Sequence, residues 1–310
     1  MSEAELIPEF TILGPGALGL LFAGLLAEKG AKVALLDRDL ERGKRIEKAG
    51  VKVSGPGAAP ERSMTVSALA APPDCGFVLV AVKAHADAAV VERLRGLPAC
   101  VTVVTLGNGL GRVEALAPLG ADRVLLASTT EGATLEGEGR VRHAGRGVTR
   151  VAPLEAAGER RAEKLVRRLA ALGLEARVEA DARALAWEKV TVNAAINAIA
   201  GLLDVPNGAL LTNAAASSLA DRAAEEAARV AAALAVPGDW SPERAKARWR
   251  AVAAATAPNL CSTVQDLRGR RKSEVHAING AIAEAARMAG VATPTNELLA
   301  VLIAAREELG

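Results

Sequence analysis

The sequence predicts an α/β protein, with a doubly wound parallel sheet in its N-terminal part and helices alone in its C-terminal part. Short apolar runs alternate with helical segments up to about residue 180, and strand-like runs are absent beyond that point. The 310 residues, 51% of them hydrophobic, suffice for two domains of ordinary size. We therefore expect one domain over residues 1–180 and a second over residues 181–310.

The first βαβ unit contains a glycine-rich turn. EFTILGPGALGLLFAGLLAEKGAKVALLDRD predicts a strand, a turn, a helix that ends near Gly30 and a strand that ends at Asp37. GPGALG has the GxGxxG spacing in this context, where glycines permit close backbone approach and a helix N-terminus binds a pyrophosphate. The pattern predicts a Rossmann-type dinucleotide site. Its candidate contacts are Gly14, Pro15, Gly16, Ala17, Leu18 and Gly19.

The end of the second strand leaves the choice of dinucleotide open. Asp37 stands where an acid accepts hydrogen bonds from the adenosine ribose of NAD. Arg38 follows it directly, and a guanidinium matches the geometry of the 2′-phosphate of NADP. Arg42, Lys44 and Arg45 come close behind, and they fit either a phosphate site or a solvated helix face.

Further strands and helices continue the alternation. FVLVAVK, VTVVTLGN and DRVLLAST are strand-like, and HADAAVVERLRGL is helical. Lys83 and Asn108 stand just past two of these strands, where ligands of open α/β sheets bind, so we expect both near the cofactor unless they are ordinary loop residues. Residues 131–153 predict a β-hairpin appended to the sheet, followed by a helix and an edge strand in LEARVEA.

One helix of the C-terminal part carries a polar stripe. In WEKVTVNAAIN, Lys189, Asn193 and Asn197 lie four residues apart, which rotates each by only about 40° from the last. An ammonium group can stabilise the charge that a carbonyl oxygen develops on reduction and can deliver the proton. Carboxamides can hold the oxygens of a substrate. A polar seam between two helices is the alternative interpretation.

A second polar segment, CSTVQDLRGRRKSEVHAING, places Ser262 and Glu274 on either side of a basic turn. Ser273 is expected to cap the helix that follows. Glu274 would lie in the first turn of that helix, where an acid also complements the helix dipole without any other role. Other predicted helices are NAAASSLADRAAEEAARVAAAL and SPERAKARWRAVAAAT.

Composition argues against several classes of function. A net charge of +2, 2% aromatic residues and the absence of Tyr argue against nucleic acid as a partner. Acidic residues near the start, the lack of 18 consecutive apolar residues and three widely separated cysteines predict a cytoplasmic protein without a membrane span. No histidine or acid pattern has metal-ligand spacing, so we expect no metal.

The Ala-rich helices suit a homodimer face or the interior of a monomer.

Six motifs resemble those of the ketopantoate reductase family, in order and over essentially the whole chain. They are GPGALG, VKAH, LGNGLG, WEKVTVNAAINAIAGLL, VPNG and STVQDLRGRRKSEVHAING. The resemblance implies a dinucleotide domain, a helical domain and an active-site cleft between them. It also implies reduction of 2-dehydropantoate to (R)-pantoate, in pantothenate and coenzyme A biosynthesis. NADPH is the implied hydride donor, and Asp37 keeps NADH as the alternative.

The resemblance also implies roles for individual residues. Lys189 would donate the proton. Glu274 would support Lys189 and would also contact the cofactor. The implied substrate contacts are Asn108, Lys189, Asn193, Asn197, Asn207 and Ser262. Beside the glycine turn, the implied cofactor contacts are Arg38, Lys83, Asn108, Ala133 and Glu274. Cys261, Thr263, His276 and Ala198 depart from the family pattern. These departures spare the proposed catalytic groups and bear on selectivity for the substrate side chain. Two alternatives stay open: a reductase of another branched 2-keto acid, and a nucleotide sensor that kept the fold without activity.

Overall fold

A computed structural model describes residues 7–55, 61–74 and 76–309. The chain divides into two compact units, one formed by residues 1–107 and 111–182 and the other by residues 108–110 and 183–310. The predicted fold class, a parallel-dominated α/β sheet followed by a helical C-terminal part, is confirmed. The assignment of a separate function to residues 1–180 and to residues 181–310 stays a prediction.

The described residues of the first unit form two β-sheets. Its strands are β1 (Phe10–Leu13), β2 (Val33–Leu36), β3 (Val51–Ser54), β4 (Arg62–Met64), β5 (Ser67–Leu69), β6 (Phe77–Val80), β7 (Thr102–Thr105), β8 (Val124–Thr129), β9 (Gly132–Gly137), β10 (Arg140–Gly145), β11 (Thr149–Pro153) and β12 (Ala176–Val178). Its helices are α1 (Ala17–Glu28), α2 (Leu40–Ala49), α3 (Asp87–Leu94), α4 (Arg112–Leu116) and α5 (Glu159–Ala171).

The main sheet has the strand order β12-β11-β8-β7-β6-β1-β2-β5. The chain steps outward from β1 in both directions, which makes the sheet doubly wound, and only the pairing of β11 with β8 is antiparallel. Every residue of β1, β2, β6 and β7 is buried, as in parallel sheets that are covered on both faces. The predicted edge strand in LEARVEA is confirmed as β12.

The predicted hairpin over residues 131–153 is only partly correct. β9 and β10 do form a hairpin, but they belong to a separate sheet of order β4-β3-β10-β9, while β11 joins the main sheet. The reason is a buried pairing between β10 and β3, in which Val141 and Val53 are 0% and 1% exposed. Val53 packs against Gly24 of α1, where an added Cβ would lie 2.3 Å from its side chain.

The second unit is helical throughout its described residues. Its helices are α6 (Ala182–Leu203), α7 (Ala209–Thr212), α8 (Ala214–Ala233), α9 (Pro242–Ala255), α10 (Ser262–Arg268), α11 (Asn279–Ala289) and α12 (Pro294–Leu309). The core between them contains Trp249 and a row of fully buried alanines on α8. None of the helices in the described part of the chain has the length and apolar character needed to cross a membrane.

The helix predicted to begin after Ser273 is interrupted. Residues Val275–Ala277 form one 3₁₀ turn, and α11 begins only at Asn279. Ile278 has φ −106° and ψ −90°, which breaks the helical path. The buried Asn279 carboxamide donates to Ala194 of α6 and to Asn296 of α12, so tertiary hydrogen bonds fix this break. Glu274 therefore precedes a short turn and does not lie in the first turn of a long helix.

Candidate active site

The glycine turn has the geometry that a dinucleotide requires. Gly14 has φ +95°, and an added Cβ would lie 2.4 Å from Val82; a Cβ on Gly19 would lie 2.2 Å from the Gly14 carbonyl oxygen. A Cβ on Gly16 would meet nothing within 4 Å, so the backbone is open to a ligand there. Gly16 is the N-cap of α1 and supplies no side-chain cap. The amides of Ala17 and Leu18 therefore begin a helix N-terminus that fits a pyrophosphate.

Asp37, at the end of β2, is only 3% exposed and is held by Arg42. Arg42 donates from Nε to Oδ2 at 2.5 Å and from Nη2 to Oδ1 at 2.6 Å. Burial alone would raise the pKa of Asp37, but the hydrogen bonds and charge of Arg42 and the Asp39 amide outweigh it, so the pKa lies below its usual value. Arg38 is exposed.

The other two basic residues of this segment make ion pairs on the surface. Lys44 pairs with Glu41 at 2.8 Å. Arg45 makes a two-pronged contact with Glu138 of the β9–β10 turn, at 2.8 and 2.9 Å. Because these cations have acidic partners, their presence alone does not argue for a phosphate site.

Arg112 is a buried residue that sequence reasoning missed. It is 1% exposed, donates to the Val82 carbonyl at 3.0 Å, and its Nη2 lies 3.0 Å from Asp87 of α3. A Cβ on Gly107 would lie 2.5 Å from its guanidinium carbon, so this glycine makes room for it. Arg112 thus fixes the backbone just before the half-buried Lys83. No spacing in the sequence marks an arginine as buried, and only the neighbouring glycine hints at it.

Ala133 lies in β9, opposite His143 in the hairpin. β9 packs against α1, and its residue Leu135 lines the same pocket as Pro15 of the glycine turn. The pocket therefore links the strand of Ala133 to the predicted pyrophosphate site. A contact between Ala133 and a cofactor stays a prediction.

In the second unit, three of the predicted residues are joined by hydrogen bonds. Asn108 donates from Nδ2 to Glu274 Oε2 at 2.7 Å, and Asn193 Nδ2 lies 3.4 Å from Asn108 Oδ1. The Leu110 amide donates to the Ala277 carbonyl, and Gly109, with φ +104°, is so close to Ala277 that a Cβ would lie 2.6 Å from its methyl group. The structure thus brings Asn108 and Glu274 together although 166 residues separate them in the chain.

Asn197, Asn207 and Ser262 surround one connecting segment, residues 259–262. Asn197 is 6% exposed, and its carbonyl accepts from the Cys261 thiol at 3.7 Å. The Asn207 amide donates to the Asn259 carbonyl, and its Nδ2 donates to Thr256. The Asn207 Oδ1 is buried and accepts no hydrogen bond from the described residues, so it is available to a donor on a ligand. Ser262, the first residue of α10, is exposed.

Lys189 lies on α6, half-buried and one turn before Asn193. The stripe of Lys189, Asn193 and Asn197 predicted from spacing lies on a single unbroken helix, with its three members at successive turns. Asn197 is the most enclosed of the three, since it is buried while Lys189 and Asn193 are half-buried. The described residues contain no group of three or more His, Cys, Asp or Glu side chains arranged to hold a metal ion.

Comparison with known proteins defines the class of this chain as an oxidoreductase. The chain belongs to the ketopantoate reductase family. The family model described as ketopantoate reductase PanE/ApbA matches residues 10–156, and its C-terminal counterpart matches residues 181–307. The family predicted from the six motifs is thereby confirmed.

Individual relatives agree with this assignment. The 2-dehydropantoate 2-reductase of Halobacterium salinarum is 36% identical over 297 residues, which cover 94% of this chain and 96% of that protein. The solved 2-dehydropantoate 2-reductase of Geobacter metallireducens is 27% identical with a TM-score of 0.85, covering 95% of this chain and 98% of that one. A D-mandelate dehydrogenase solved with NADH and anilino(oxo)acetate is 25% identical with a TM-score of 0.89, covering 96% and 98%.

Proposed function

We propose that the protein reduces 2-dehydropantoate to (R)-pantoate with NADPH, a step of pantothenate and coenzyme A biosynthesis. The observation that carries this proposal is the hydrogen-bonded set Asn193, Asn108 and Glu274, in the same unit as Lys189. The name of the Halobacterium salinarum relative, a 2-dehydropantoate 2-reductase, supports the substrate. The residues of the glycine turn fit the pyrophosphate of the cofactor, as their open backbone at Gly16 indicates.

Each residue of the second unit has a distinct task in this proposal. The bound nicotinamide supplies the hydride to C2 of the keto acid. Lys189 Nζ stabilises the charge that develops on the C2 oxygen and delivers a proton to it. Glu274 orients Asn108 through the 2.7 Å hydrogen bond and supports the lysine electrostatically. The carboxamides of Asn108, Asn193, Asn197 and Asn207 and the hydroxyl of Ser262 bind the carboxylate, carbonyl and hydroxyl of the substrate.

NADPH is proposed over NADH on the strength of Arg38 and Arg42, because guanidinium groups match a phosphate. The engagement of Asp37 by Arg42 supports this choice, since both carboxylate oxygens that would bind a ribose are already bonded. Lys83 and Ala133 are further proposed contacts of the cofactor. NADH is the alternative donor.

The test follows absorbance at 340 nm with purified protein, 2-dehydropantoate, and NADPH or NADH in separate reactions. We expect oxidation of NADPH and formation of (R)-pantoate in equal amounts. Absence of oxidation with either nucleotide, despite measured nucleotide binding, would contradict the proposal and leave the nucleotide sensor.

The similarity to D-mandelate dehydrogenase favours a second candidate function, reduction of another branched 2-keto acid. A panel of 2-keto acids with and without the C4 hydroxyl separates the two, through kcat/KM for each. A site with buried polar groups that bind this hydroxyl should reject analogues that lack it. Equal kcat/KM across the panel would favour the second candidate.

A cytoplasmic location and a homodimer are also part of the proposal. α12 exposes Leu298, Val301 and Leu302 at helical spacing, and this apolar stripe is a feature that a second copy would cover. Light scattering coupled to size exclusion measures the mass in solution and decides between dimer and monomer.

A further inference from the structure

The acid at the end of β2 has an unusual environment for a dinucleotide site. Such an acid ordinarily favours NAD because it accepts hydrogen bonds from the ribose hydroxyls. In this chain both oxygens of Asp37 accept from Arg42, one also accepts from the Asp39 amide at 3.2 Å, and the residue is only 3% exposed. The carboxylate is therefore directed at α2 and has little surface left for a ribose.

The position of Asp37 is fixed from several sides. Arg93 of α3 donates to its carbonyl oxygen at 2.6 Å. Asp39 caps α2, because its side chain accepts a hydrogen bond from the Arg42 amide at 3.0 Å. This bond fixes the backbone of Arg42, from which its side chain extends. Gly43 lies over Asp37, and a Cβ there would be 3.9 Å from the Asp37 Cβ. These contacts hold both ends of the ion pair, so Arg42 has one preferred orientation.

Arg42 keeps donors for a second anion. A guanidinium has five N–H groups, and its Nε and Nη2 edge is used by Asp37. Its Nη1 donates no hydrogen bond within the described residues 7–55, 61–74 and 76–309, and its side chain is 36% exposed. The edge formed by Nη1 and the second hydrogen of Nη2 can therefore bind a phosphate while Asp37 holds the other edge.

A pocket of about 280 Å³ lies beside this guanidinium. Its lining residues are Pro15, Arg42, Ile46, Leu135, Gly137, Glu138 and Gly139. Pro15 belongs to the glycine turn, so the pocket adjoins the predicted pyrophosphate site. Glu138 is the acid of this lining, and Arg45 neutralises it through the two contacts at 2.8 and 2.9 Å. A phosphate at this place would meet a cation without an opposing unpaired acid.

We propose that Arg42, held by Asp37, binds the 2′-phosphate of the dinucleotide, and that Asp37 is a positioning residue for NADPH and not a ribose ligand for NADH. This inference rests on the proposed function, because it concerns the cofactor of the same site. In most dinucleotide sites, removal of the acid at this position favours NADP over NAD. In this protein, removal of the Asp37 carboxylate should instead weaken binding of the nucleotide that carries the 2′-phosphate.

The test measures binding by calorimetry, without any keto acid. The ligands are adenosine 2′,5′-bisphosphate, adenosine 5′-monophosphate, NADP⁺ and NAD⁺. Asp37→Asn keeps the size of the side chain and removes its charge, and Arg42→Met keeps the apolar stem and removes the guanidinium. In both variants we expect the affinity for the bisphosphate and for NADP⁺ to fall by about tenfold or more, the effect of one lost charge-assisted hydrogen bond. Affinity for the monophosphate should stay the same.

Matched controls come from the same helix. Lys48→Ala and Glu47→Gln each remove one exposed charge of α2, and neither should change the ratio of the two affinities. A double variant, Asp37→Asn with Arg42→Met, should lose no more than Arg42→Met alone, because Asp37 acts through Arg42. If Asp37→Asn does not fold, Arg42→Met and the Arg42→Lys variant, which keeps the charge without the fork, decide the proposal by themselves.

Two results would overturn the inference. One is tighter binding of NADP⁺ and weaker binding of NAD⁺ in Asp37→Asn, the usual effect of removing a ribose ligand. The other is unchanged bisphosphate affinity in Arg42→Met. Failure of the proposed function looks different: the wild-type protein would bind the bisphosphate as expected and reduce no 2-dehydropantoate. Conversely, reduction of 2-dehydropantoate by a wild-type protein that binds both mononucleotides equally would overturn this inference alone.

Discussion

The two candidate sites of the molecule are built in different ways. The glycine turn is formed by six consecutive residues, 14–19, and its fitness for a dinucleotide lies in the backbone. The polar cluster of the helical unit is formed by side chains, and its hydrogen bonds join Asn108 to residues 85 and 166 positions away in the chain. A site formed by the backbone is thus determined by a short stretch of sequence, whereas a site formed by side chains depends on how distant segments pack. Variants of each site should therefore fail in different ways.

The largest expected effect is that of Lys189→Ala. If Lys189 delivers the proton, kcat should fall by about 10²- to 10⁴-fold, because general acid catalysis contributes that much. Steady-state kinetics measure kcat, and fluorescence titration should show unchanged affinity for NADPH. Lys246→Ala, which removes a lysine of α9 that pairs with Glu225 of α8, is the control. Near-normal turnover in Lys189→Ala would exclude the proposed role.

Glu274→Gln should have the next largest effect. Gln keeps an oxygen that can accept from Asn108 but removes the charge, so kcat/KM for 2-dehydropantoate should fall by about 10- to 100-fold, the range for a hydrogen bond to a charged group. Glu284→Gln, at an exposed position of α11, should leave kcat/KM unchanged. Equal kinetics in the two variants would mean that the Glu274 charge has no role in the reaction.

Two glycine variants sharpen the contrast within the backbone site. A Cβ at Gly16 meets no protein atom within 4 Å, so Gly16→Ala should leave the unfolding temperature unchanged and weaken NADPH binding by about tenfold. A Cβ at Gly19 would lie 2.2 Å from the Gly14 carbonyl oxygen. Gly19→Ala should therefore weaken NADPH binding and, unlike Gly16→Ala, also lower the free energy of unfolding by about 1–3 kcal/mol. Unaltered NADPH binding in Gly16→Ala would show that no ligand approaches the turn.

The smallest expected effect concerns pH and the thiol beside Asn197. Burial raises the pKa of Cys261 from 9.0 to about 11. Below pH 9 the thiol is protonated in both states; above it the unfolded state loses the proton first, so stability should fall as pH rises through about 11. Urea unfolding of the wild type and of Cys261→Ala should show a steeper loss in the wild type. Cys100→Ala, which removes an exposed thiol, is the control, and parallel curves would contradict the prediction.

Much of the fold could be predicted because it is local. The first βαβ unit, the alternation of strands and helices, and helix α6 all follow from periodicity and glycine positions. The second sheet could not be predicted as separate, because the partner of the 140–145 strand, β3, lies almost 90 residues earlier and its short VKVS pattern is uninformative alone. The break before α11 was missed because buried carboxamides, not proline or glycine, interrupt the helix.

The candidate site was predictable to a different degree in each unit. Spacing alone indicates the glycine turn and the stripe of Lys189, Asn193 and Asn197. The role of Glu274 and the choice of Asn207 came from the family resemblance, since a first-turn acid and a loop asparagine have ordinary structural explanations. The pairing of Asp37 with Arg42 was not predictable. An acid at the end of the second strand can pair with an arginine five residues later or face solvent, and the sequence does not distinguish the two. The buried Arg112 carries no sequence signal except the glycine beside it.

In the proposed reaction, the polar side chains of the helical unit hold a 2-keto acid with its C2 oxygen at Lys189. A crystal structure with NADP⁺ and pantoate bound tests it most directly. We expect Lys189 Nζ within about 3.2 Å of the C2 oxygen, the reach of a proton donor, and the Asn193 and Asn197 carboxamides on the substrate oxygens. Pantoate bound away from α6, or with its C2 oxygen directed away from Lys189, would exclude Lys189 as the proton donor.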